Sequence, residues 1–115
     1  MVPKETTQGD PGFERAARFG VGQVVQHLKF EYRGVVVDVD ATFSLGDEWY
    51  EEVARSRPPK DRPWYHVLVS GSHQVTYVAE RHLEADESGD PVRHPLLGDY
   101  FESFEDGRYV PSQRM

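Results

Sequence analysis

The stretch Arg33-Gly34-Val35-Val36-Val37-Asp38-Val39-Asp40 constrains the fold more than any other part of the chain. β-Branched side chains are stiff about χ1 and crowd a helical turn, whereas a pleated strand accommodates them. Read with period two, this strand carries Val35, Val37 and Val39 on one face. Residues 22–27, 63–69 and 73–78 have the same chemistry in shorter form. The turn Ser70-Gly71-Ser72 predicts that the last two make a hairpin. Short pieces at 81–84 and 107–110 are expected to close the sheet. An open five-stranded sheet would leave unpaired edges, so this succession predicts a mostly β fold, a small SH3-like β-barrel, with an OB-type barrel as the alternative.

One short helix is expected between the strands. Ser44 followed by Asp47 resembles a capping box, with Asp in place of the usual Glu. Leu45, Trp49 and Val53 then share a face, while Glu48, Glu51 and Glu52 turn to water. Prolines 58, 59 and 63 end it, because proline cannot continue the hydrogen-bond ladder. A further turn is expected at 96–101, and the acidic run 86–90 reads as a surface loop. Residues 1–16 are polar, Pro- and Gly-bearing and aperiodic, which predicts a flexible N-terminal tail. The domain proper spans 17–110, and 111–115 form a C-terminal tail.

The 115 residues are one domain's worth of chain. The absence of cysteine excludes disulfides, thiolate zinc sites and Fe–S clusters, and fits a reducing, cytoplasmic setting. No stretch approaches the length of a membrane span, and the first residues lack a signal peptide's apolar region. The formal charge is −7 and stays negative with all five histidines protonated. An acidic chain repels a phosphate backbone at long range, so binding to nucleic acid would need a local basic patch.

Candidate sites follow from residue type. Arg33 beside Tyr32 could clamp a phosphate or carboxylate or stack on a base; otherwise Gly34 simply gives freedom at a strand entry. Asp38 and Asp40 point the same way along one strand. A hard metal would need further oxygen ligands, so they are expected to cap the following turn and pair with Arg or His. The histidines at 27, 66, 73, 82 and 94 show no zinc spacing, and His66 is expected half-buried on the face of Trp64 and Leu68. The chain is aromatic-rich, and Tyr50 and Tyr109 are the candidates for an exposed patch that grips an unfolded segment. Arg55, Arg57, Lys60 and Arg62 form the main cationic run, which Arg15, Arg18, Lys29 and Arg33 could extend. No Gly-rich phosphate loop or nucleophile elbow is present, and Ser44, Ser70 and Ser72 sit where turn residues belong. A non-enzymatic domain without cofactor or metal is expected, and a barrel with a spare edge could self-associate into a homo-oligomer.

These residues carry a family resemblance. Phe19-Gly20-Val21-Gly22-Gln23-Val24-Val25-Gln26-His27 and the strand 32–40 resemble the opening of the HspQ family, also called YccV-like or hemimethylated-DNA-binding. The similarity continues through Asp47-Glu48-Trp49-Tyr50, then residues 62–69 and Thr76-Tyr77-Val78-Ala79-Glu80. It ends with Leu83, His94-Pro95, Tyr100-Phe101 and Gly107-Arg108-Tyr109. The resemblance implies an SH3-like barrel and a heat-shock protein without catalytic activity. Its partners would be the ATP-dependent protease Lon and that protease's denatured or regulatory protein substrates. The family's other label implies hemimethylated DNA as a partner.

Overall fold

A computed structural model describes residues 17–54 and 56–112. The tail expected at 1–16, residues 113–115 and Arg55 lie outside the described residues. Strands β1 (Val24–His27), β2 (Arg33–Asp40), β3 (Trp64–Val69), β4 (Val75–Ala79) and β5 (Leu83–Ala85) make one antiparallel sheet in the order β4-β3-β2-β1-β5. Helix α1 (Asp47–Val53) lies between β2 and β3, and a 3₁₀ turn (Glu80–His82) between β4 and β5. Helix α2 (Leu97–Tyr100) leads into a separate hairpin of β6 (Phe101–Glu105) and β7 (Arg108–Pro111). The hairpin turns on Asp106-Gly107, both at positive φ, as a two-residue turn matching strand twist requires.

A bulge at Val37 corrects the simple alternation. Val36 opposes Val67 but Asp38 opposes His66, so Val37 is an extra residue in β2. Val35 and Val37 therefore pack with Val24 and Leu68 beneath Val92, Phe101 and Tyr109. Val39 joins Val36 on the opposite face, among Phe19, Val25, Tyr65, Val67, Val78 and Leu83. The sheet is covered on both faces, which is why β2 and β3 read as nearly continuous apolar runs.

The sheet does not close into the expected SH3-like barrel. β4 and β5 stand at opposite ends of the strand order, joined by the 3₁₀ turn, and β5 pairs with β1 instead. From the β1–β2 turn the Tyr32 phenol reaches β4, where it lies 2.7 Å from the Thr76 hydroxyl. The 107–110 segment expected to close the sheet pairs with β6, and β7 runs one residue beyond the expected domain end.

Helix α1 also departs from its expected start. Its N-cap is Gly46, with no side-chain cap. The Ser44 hydroxyl donates to Asp40 Oδ2 at 2.6 Å instead, a stronger, charged acceptor. The helix residue that is buried is Tyr50, packed with Trp64 and Ala79, whereas Leu45 and Val53 of the expected apolar stripe remain exposed.

Candidate protein-binding groove

The outer side of α1, with Leu45 just before it, is one wall of an open groove of about 910 Å³. Leu45, Trp49 and Val53 form that wall, and Phe30 and Tyr32 from the β1–β2 turn form the other. Between them every residue from Gln74 to Ala79 contributes to the lining. Side chains of a strand alternate between faces, so a lining that takes in consecutive residues follows the strand's edge. The large exposed hydrophobics concentrate here: Phe30 is 67% exposed, Val53 55%, Val75 49% and Leu45 38%. Clustered apolar exposure of this kind marks an interaction site more often than isolated surface residues do.

Asp40 holds the helix wall in position. Its Oδ2 accepts from Ser44 Oγ at 2.6 Å and the Tyr77 phenol at 2.7 Å, and lies 3.2 Å from His66 Nε2. Burial alone would push its carboxyl up, but the bonds from Ser44, Tyr77 and His66 together hold it below the ordinary carboxylate range. Asp38, Asp40 and His66 have potential ligand atoms all within 4.8 Å of one another. Asp40 pairs with a histidine and fastens the following turn, as the sequence predicts, and Asp38 Oδ1 accepts from the Val39 amide. Phe43, Trp49, Trp64 and Tyr77 pack edge to face, tilted or stacked behind this hub.

The opposite wall rests on His27, a buried polar side chain. Its Nδ1 accepts from the backbone amides of Lys29 and Phe30 at 3.1 and 3.0 Å. The ring lies against Phe30, Tyr32 and His82. Burial, then repulsion from His82 and Lys29, lowers its pKa, so the neutral ring that can accept these bonds is favoured. His82 is lowered by burial and by Arg81 and Lys29.

The sequence candidates divide sharply. Tyr32 lines the groove, and burial raises its phenol's pKa. Arg33 is structural: its guanidinium meets Asp86 Oδ2 at 3.1 Å and the carbonyls of Asp90 and Pro91. Tyr50 and Tyr109, expected as exposed grips, are both buried. Tyr50 donates to the Pro58 carbonyl, and the Tyr109 hydroxyl engages both the amide and the carbonyl of Val92. The cationic run is offset by acids on α1: Arg57 pairs with Glu51 at 2.7 Å and Lys60 with Asp47 at 3.2 Å. The Lys60 ammonium also sits 4.3 Å from the Tyr50 ring centroid. Arg62 is exposed, and Arg55 falls outside the described residues.

A family model described as hemimethylated DNA-binding protein YccV like matches residues 17–108. The chain belongs to the YccV-like family. The match covers every strand of the main sheet and most of the β6–β7 hairpin, so the groove lies wholly inside the YccV-like region. None of the described helices is long and apolar enough to cross a membrane. Sequence reasoning missed Phe30 and Val75 because each stands in a short segment without helical period. Leu45, Trp49 and Val53 were visible as a stripe, yet nothing local says whether such a stripe meets the core or the solvent.

Proposed function

We propose that this YccV-like domain is a non-catalytic, cytoplasmic accessory protein. It grips exposed segments of denatured or regulatory proteins and promotes their degradation by an ATP-dependent, Lon-type protease. The observation that carries this reading is the groove, whose rim gathers Phe30, Leu45, Val53 and Val75 beside Trp49. Aromatic and aliphatic anchors in a concave site are what recognition of an unfolded chain requires. The open five-stranded sheet serves as scaffold, with the work done on its outer surface.

The experiment is degradation of a denatured substrate by the purified protease with and without the domain. A faster turnover that is lost on Trp49→Ala supports the reading; unchanged turnover on adding the domain refutes it.

A second reading, hemimethylated-DNA binding, is favoured by the description of the family. Against it, Arg57 and Lys60 are paired with carboxylates and the chain carries a charge of −7. Binding through phosphates weakens steeply with salt. Titration of hemimethylated, fully methylated and unmethylated duplexes at two salt concentrations tests it: a salt-sensitive preference for the hemimethylated duplex supports this reading, and equal binding removes it.

A further inference from the structure

The edge of β4 lies along the groove, and it is unguarded. Exposed strand edges normally carry a charge, a proline or a bulge that discourages pairing. Residues 74–79, Gln-Val-Thr-Tyr-Val-Ala, have no charge and no proline, and β4 pairs with β3 without a register shift. Among the described residues no strand pairs with its other edge.

The two faces of β4 meet chemically different walls. Val75, Tyr77 and Ala79 oppose Leu68, His66 and Trp64, so they face the α1 side, with Leu45, Trp49 and Val53. Thr76 and Val78 oppose Val67 and Tyr65 and face the β1–β2 turn, which Tyr32 anchors through Thr76. That second wall carries Lys29, with His27 and His82 behind it. Among the described residues no carboxylate lines the groove, although the chain as a whole is strongly acidic.

We infer that the groove takes an extended protein segment that adds as a strand to the free edge of β4. Its alternate side chains are apolar toward α1 and acidic toward Lys29. Successive side chains of an added strand point to opposite faces, so one segment satisfies both walls only with this period of two. The five residues of β4 span about 17 Å at strand rise, which sets the segment at about five or six residues. This rests on the protein-gripping reading above and names the occupant.

The test is fluorescence anisotropy of labelled eight-residue peptides with the full chain. One peptide alternates Leu with Glu, a second has Lys in place of Glu, and a third repeats the first with N-methyl groups on alternate amides. The Leu/Glu peptide is expected to bind, and the Leu/Lys peptide about fivefold more weakly or worse. N-methylation on the β4-facing amides should abolish binding. Lys29→Glu should reverse the preference between the first two peptides. Leu45→Glu and Val53→Glu change exposed positions, so they should leave the thermal midpoint unchanged while weakening the Leu/Glu peptide about tenfold or more. No binding, equal affinity for both charge patterns, or indifference to N-methylation would each overturn the inference. If Leu45→Glu still accelerates the protease fully, the inference falls while the accessory role stands. If the peptides bind as described and protease turnover does not respond, the accessory role falls and the inference stands.

Discussion

Replacing Asp40 should loosen the α1 wall of the groove, and the loss can be sized from its bonds. Asp40→Ala removes one carboxylate oxygen that serves Ser44, Tyr77 and His66. Bonds to a charged acceptor contribute more than neutral ones, but the Asp40 side chain is 23% exposed, so each is taken near the low end, about 1 kcal/mol. The sum is about 3 kcal/mol, or a drop of roughly 15 °C in Tm for a domain of this size. Asp40→Asn keeps an acceptor oxygen at that position and loses the charge that strengthens its bonds, so about 1 kcal/mol is expected. The pH dependence has a definite sign. The folded carboxyl is held below its unfolded value, so the native state binds fewer protons. Its contribution is full above about pH 5 and is lost as pH falls through the folded value. Urea denaturation followed by tryptophan emission suits the measurement, because Trp49 and Trp64 both pack against Tyr77 beside the hub. A midpoint for Asp40→Ala equal to that for Asp40→Asn would refute the reasoning. So would an acid limb of the stability curve unchanged in Asp40→Ala.

His27 gives the same pH sense in a higher window: its folded pKa is lowered, so stability is complete above about pH 6.5 and declines as pH falls below it, reported by thermal midpoints between pH 7.5 and 5. His27→Leu should flatten part of that decline; the groups facing the ring are His82, Lys29, Phe30 and Tyr32, and His82 keeps the remainder. Gly22→Ala forces a β-carbon into the Tyr109 carbonyl at a residue with φ of 94°, and should destabilise by about 2 kcal/mol or more in chemical denaturation. Tyr109→Phe strands both polar groups of Val92 and should lower stability by about 1–3 kcal/mol, while peptide affinity at the groove, measured by anisotropy, stays at the wild-type value.

The sequence by itself determined the strands. Valine-rich runs, the Ser70-Gly71-Ser72 turn and prolines 58, 59 and 63 act through local sterics, and each lies where the sheet and helix require it. The half-burial of His66 was legible from alternation along β3, and that Asp40 would pair with an Arg or a His from its residue type, but the β2–β3 register decided that His66 is the partner. Tertiary structure decided the rest. One extra residue at Val37 sends Val39 to the other face, and no local propensity marks a bulge of that kind. Tyr50 rather than Val53 is buried, because the angle at which α1 meets Trp64 is fixed by Asp40, Ser44 and Tyr77 from three separate segments. The sheet stays open because β5 finds its partner in β1, a long-range pairing invisible to any local window. That opening leaves an unpaired edge beside an apolar helix face, and so creates the groove.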